Sequence, residues 1–148
     1  MKVGQAIDDA QQSERDLADQ LVHLAERHAP EPDVYHLAHT LAAQCRQHLQ
    51  ELRPFVDRYG ADVVEFDSSA RPSEPGDDSD RLLADLRDTY VTAQRVTINW
   101  TILLQAAKAL RDTELLGTVT SCQEQAEGTG AWLQTQIKAS APQGLIAG

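Results

Sequence analysis

The stretch Ala61-Asp62-Val63-Val64-Glu65-Phe66-Asp67-Ser68-Ser69-Ala70-Arg71-Pro72-Ser73-Glu74-Pro75-Gly76-Asp77-Asp78-Ser79 decides how the rest of the chain is put together. Two prolines, one glycine and a run of serines and acids deny it helical or strand periodicity, so it reads as a connection. From residue 61 to 80 there are seven acids against one base, Arg71, so this segment carries −6 of the chain's formal −10. A connection of this length is rare inside a compact domain and calls for a structural reason. Helical periodicity on both sides of it supplies one.

Upstream, Val3, Ile7, Ala10, Glu14, Leu17, Leu21, Leu24 and His28 recur at alternating steps of four and three, the seam of an amphipathic helix over about 3–28. Pro30-Glu31-Pro32 ends it. A second helix over about 33–59 follows, with Val34, Leu37 or Ala38, Leu41, Cys45, His48, Leu52, Phe55 and Tyr59 in its seam, a bend expected at Pro54 and a cap at Gly60. Downstream, Leu82, Leu86, Thr89, Ala93, Val96, Trp100, Leu103, Ala107 and Leu110 mark a third helix over about 80–110, with Asp78 or Ser79 as its N-cap. Asp112 then caps a fourth over about 113–139, with Leu115, Val119, Cys122, Ala126, Thr129, Leu133 and Ile137 inward, a bend or tight contact at Gly128 and Gly130, and residues 140–148 as a non-helical tail.

Helices one and two are separated by a few residues, and so are three and four, which makes each pair an antiparallel hairpin. A helix of about 26 residues is roughly 39 Å long, a span that about twenty extended residues can cross. The sequence therefore predicts one all-α domain over 1–148: two antiparallel hairpins joined by a lengthwise acidic crossover at 61–79, with Val63, Val64 and Phe66 pinning its first part. An up-down-up-down bundle needs no such connection.

The excess of acids argues against nucleic acid and against anionic membrane surfaces, both of which require a basic face. The start of the chain shows no apolar signal segment and no stretch approaches a membrane span, so a cytoplasmic protein is expected. Two cysteines 77 positions apart are not a secreted disulfide framework.

The chemistry-bearing residues gather in the seam. Glu14 is the one carboxylate of the first seam, Cys45 and His48 share a face of helix two, and Cys122 lies at a matching height on helix four, followed by Glu124 and Gln125. This layout resembles the ferritin-like superfamily, which places Glu on helix one, Glu-x-x-His on helix two, Glu on helix three and Glu-x-x-His on helix four. Here Glu14 and His48 match; Cys45 and Cys122 stand where the family has Glu, and Gln125 where it has His. Helix three offers Thr89, Ala93 and Val96, with Gln94 and Asn99 beside them. One seam carboxylate cannot neutralise two iron ions, so the resemblance implies the family's fold with its dimetal site lost, and a binding or structural role in place of an oxidase.

Alternatives stay open on these residues. Glu14, Cys45, His48 and Cys122 have the chemistry of a single zinc or residual iron shell. A Glu14–His48 pair with two packed thiols is the plainer reading. Trp100 and Trp132 are candidates to line a small-ligand pocket. His36 and His39, with His28, are candidates for a surface metal, against the reading of exposed solvated histidines together with His23. Val91, Ile98 and Ile102 fall at outward positions of helix three and predict a homodimer through that face.

Overall fold

The computed structural model describes residues 2–62, 64 and 79–146, with the side chains of Ser79 and Asp80 excepted. Four helices fill it: α1 (Val3–Arg27), α2 (Pro32–Tyr59), α3 (Ser79–Leu110) and α4 (Thr113–Ile146). The sequence expectations hold within a residue or two except at the C-terminus. The expected tail at 140–148 is helical as far as Ile146, and Pro142 lies inside α4. Pro142 forfeits one backbone hydrogen bond, but alanines at 139 and 141 keep the local helix preference high, and the ring does not end the helix.

The ends are set by residues the sequence marks. Pro32 starts α2, where its missing N–H costs nothing. Gly60 closes α2 in the left-handed region at φ 68°. The Asp112 carboxylate accepts from the Leu115 backbone N–H at 3.1 Å, capping α4. Arg111, in the tight turn between α3 and α4, takes a φ of 55° without being glycine. Gly4 is needed for a different reason: a Cβ there would stand 2.7 Å from the Tyr59 carbonyl oxygen. Only a glycine lets the start of α1 press against the end of α2. At Gly130 the expected tight contact is present, a Cβ meeting Gln94 Nε2 at 3.2 Å, whereas Gly128 faces open space.

Each of α1 and α4 packs beside both α2 and α3, which leaves α2 and α3 on one diagonal and α1 and α4 on the other. Side-chain bonds fix the directions. Arg95 reaches Asp16 and Arg27 reaches Asp85, so α1 and α3 are antiparallel. Arg58 reaches Asp112 while His48 reaches Gln125, so α2 and α4 are antiparallel as well. It follows that α2 and α3 run parallel, and that the end of α2 and the start of α3 lie at opposite ends of the bundle. Two hairpins related in this way are the predicted arrangement. The greater part of the predicted crossover, including Val63, Phe66 and the Asp78 cap, lies outside the described residues. Its first residues are tied to α1 by polar bonds: Gln11 Nε2 donates to the Asp62 carbonyl at 2.8 Å, and the Asp62 N–H donates to Asp8 at 2.8 Å.

The core is the predicted seam. Ile7, Leu17, Leu21, Leu52, Leu86, Leu103, Leu115 and Leu133 are fully enclosed. On α2 the inward residue at the first ambiguous step is Ala38, and Leu37 is left 37% exposed. Among the described residues no helix is long and apolar enough to cross a membrane.

Candidate functional site

Halfway along the bundle the apolar seam is interrupted by a polar cluster drawn from all four helices. Glu14 of α1 is 1% exposed. Its Oε1 accepts from His48 Nδ1 of α2 at 2.9 Å and from Trp100 Nε1 of α3 at 2.7 Å. The other ring nitrogen of His48, Nε2, lies 2.6 Å from Gln125 Oε1 of α4. The Trp100 ring stands edge-on to the imidazole, with centroids 5.9 Å apart. Glu14, His48 and Trp100 lie on helix faces that periodicity turns inward, Gln125 reaches in from the exposed edge of α4's inward face, and the antiparallel pairing brings the four to one level.

An oxygen thus faces each ring nitrogen of His48, Glu14 on Nδ1 and Gln125 on Nε2. Burial pushes the His48 pKa down, but the hydrogen bond and charge of Glu14, helped by Gln125 and Glu51, outweigh it and hold the pKa above its ordinary 6.5. Glu14 Oε2 is enclosed with no hydrogen-bond partner among the described residues. Beside it, burial first and the Glu14 charge second raise the Cys45 thiol far above its usual range. Cys122 donates its S–H to Glu51 Oε2 at 3.2 Å, and burial together with that bond raises its pKa as well. Both cysteines are free and buried.

The structure thus brings Glu14 and His48 together, sets Cys45 against them, and turns Cys122 aside to Glu51. Gln125 of α4 faces the second ring nitrogen of His48. Two members escape a reading of the seam. Trp100 is inward by periodicity, but nothing in the sequence says that its N–H finds a carboxylate. Glu51 lies off the seam and reaches Cys122 because the α2–α4 seam is the loosest between adjacent helices. These residues do not fit a dimetal centre of the ferritin-like kind: both His48 nitrogens are engaged by oxygens, burial raises the pKa of both thiols, and α3 contributes an indole where a carboxylate would be needed. Among the described residues, no group of three or more His, Cys, Asp or Glu side chains is disposed to hold a metal ion.

The other candidates are placed apart. Trp100 is wholly buried. Trp132, with Leu37, His36 and Gln136, lines an open cleft of about 430 Å³ between α2 and α4. His28, expected to be solvated, is 6% exposed and bonds to Asp85 at 2.7 Å, while Arg27 meets the same carboxylate at 2.8 Å. His39 pairs with Glu26 at 2.9 Å. His28 and His39 therefore bond to separate carboxylates, Asp85 and Glu26. No family model matches this chain, and no curated protein matches it in sequence.

Proposed function

We propose that this chain is a non-catalytic, ferritin-like bundle with a binding or structural role, in which a proton-rich polar cluster occupies the level where the superfamily places its dimetal site. The observation that carries this reading is the double engagement of His48, by Glu14 on one nitrogen and Gln125 on the other. An imidazole with an oxygen on each nitrogen has no lone pair turned to a metal, and a carboxylate that accepts from both His48 and Trp100 has its charge met without a cation. Two high-pKa, enclosed thiols suit a reducing cytoplasm, where they act as small apolar fillers.

The role is assigned to the surface. Val91, Ile98 and Ile102 are 64%, 59% and 40% exposed on α3 and form an apolar stripe. This stripe favours association of two copies through α3. Metal analysis of untagged protein is the discriminating test, the rival being a single zinc or iron bound by Glu14, Cys45, His48 and Cys122. The expected metal content is far below one equivalent and is unchanged in Glu14→Leu. A stoichiometric metal lost with that substitution would overturn the proposal.

A further inference from the structure

The end of the bundle at the α1–α2 turn carries a cleft that the central cluster does not use. Pro32, Asp33, His36 and Leu37 of α2 line one side of it, and Trp132 and Gln136 of α4 the other, around about 430 Å³. That volume is within the range of small-molecule sites. Asp33, His36 and Leu37 share one face of α2, and Trp132 and Gln136 lie one turn apart on α4. Two bonds across the same pair of helices fix the levels. His48 meets Gln125 and Glu51 meets Cys122, so three residues onward along α2 is three residues back along α4. Carried to the cleft, that register sets Leu37 level with Gln136 and Leu41 level with Trp132. Asp33 then lies roughly 12 Å along the axis from the level of Trp132. The cleft is therefore long, with a carboxylate towards one end, an indole towards the other, and the exposed Leu37 between them. Among the described residues Asp33 has no ion-pair or hydrogen-bond partner.

We propose that this cleft binds a linear organic amine, with its ammonium group on the Asp33 carboxylate and an apolar body lying over Leu37 against Trp132. The site lies apart from α3, so it stands or falls independently of the association through that helix. In the first turn of α2 the charge of Asp33 also suits the helix dipole, but that role needs no cleft beside it. The formal charge of −10 raises the local concentration of a small cation and lowers that of an anion. Lys138, the one base of α4, stands two residues from Gln136, about 200° round the helix, and so on another flank. A metal ion is a poor match, because one carboxylate and one imidazole beside carbon surfaces leave most of its coordination shell to water. An uncharged apolar molecule would leave Asp33 unmet. An amine of about 10–12 Å meets both ends at once, since that is the axial span between them. Its head pairs with an exposed carboxylate, a weak contact that sets the choice of ligand. Its body removes the indole and Leu37 from water, which sets the affinity.

Three probes with one body and different heads test this: phenylbutylammonium, phenylbutanol and phenylbutanoate. Each is titrated into the full chain at about pH 8 and fixed ionic strength, and followed by the backbone amide resonances of Leu37 and Gln136. The ammonium is expected to saturate at millimolar concentration. The alcohol is expected to bind about fivefold more weakly, and the carboxylate more weakly still. Asp33→Asn is expected to erase the preference for the ammonium while leaving the affinity of the alcohol unchanged. Trp132→Ala is expected to weaken all three probes about tenfold, and Leu37→Gln, a change at an exposed side chain, to act in the same direction. An alcohol that binds the parent as tightly as the ammonium does, or a preference that survives Asp33→Asn, would overturn the assignment of an amine. No saturable shift by ~20 mM, or affinities that neither Trp132→Ala nor Leu37→Gln lowers, would overturn the site itself.

Discussion

Replacing Glu14 with leucine tests the central cluster most directly. From the sequence alone the change looks harmless, because an isolated buried acid is costly and leucine fits an apolar seam. The structure reverses the expectation. Glu14 Oε1 is the acceptor for two enclosed donors, Trp100 Nε1 and His48 Nδ1. Leucine would strand both, at roughly 1–3 kcal/mol each, and would leave His48 without the carboxylate that faces Nδ1. Leucine's own burial and the removal of the unpartnered Oε2 return roughly 1–2 kcal/mol. The net expected loss is about 3 kcal/mol. Guanidinium unfolding at fixed protein concentration, followed by far-UV circular dichroism and by tryptophan fluorescence, measures it. His48→Leu alone should cost a similar amount, since it strands the carboxylate. The double variant should cost far less than the two together, because each single change exposes the other's unpaired partner. Strict additivity, or a Glu14→Leu protein as stable as the parent, would refute the argument.

The pH dependence of the parent follows from the same pair. His48 has its folded-state pKa raised above the unfolded value of 6.5. Its contribution is therefore full below 6.5, where both states hold the proton, and is lost as pH rises through the folded-state value. Stability should fall as pH rises above 6.5 in the parent but not in Glu14→Leu/His48→Leu. The groups that face the ring are Glu14, Trp100, Glu51 and Gln125, one helix each, so no other element supplies a compensating charge.

Other outcomes are equally direct. Gly4→Ala should lower stability by about 1–3 kcal/mol, read as a drop in thermal midpoint, because its Cβ would collide with backbone at Tyr59 and backbone cannot rotate away. Asp112→Ala should lower the thermal midpoint, since Asp112 caps α4 and accepts from Tyr59 and Arg58. The Tyr59 bond, the cap and Arg58 hold the Asp112 pKa near 2, below its usual 3.8, so the parent should lose that contribution as pH falls through this window and the variant should not. Cys45 and Cys122 should resist a thiol reagent in the native protein at neutral pH and react fully after unfolding, because burial raises both pKa values.

Much of this molecule is a direct consequence of its one-dimensional pattern. The spacing of apolar residues set the four helices, the prolines and glycines set most of their ends, and one long acidic interval between two short ones set the pairing of the helices. Periodicity also brought Glu14, Cys45, His48 and Cys122 to one level, because equal distances along antiparallel helices are equal heights. The partner of each polar atom was not legible, since it depends on distances across the bundle that no spacing along a helix encodes. The indole of Trp100 reaches Glu14 because α3 crosses α1 at that height. Cys122 turns to Glu51, an acid off the α2 seam, where α2 and α4 meet. His28 is buried because Asp85, 57 residues away, arrives at the end of α1. Local sequence determined which residues face inward; tertiary packing decided which donor meets which acceptor, and with it whether the central cluster is closed by protons or left open to a metal.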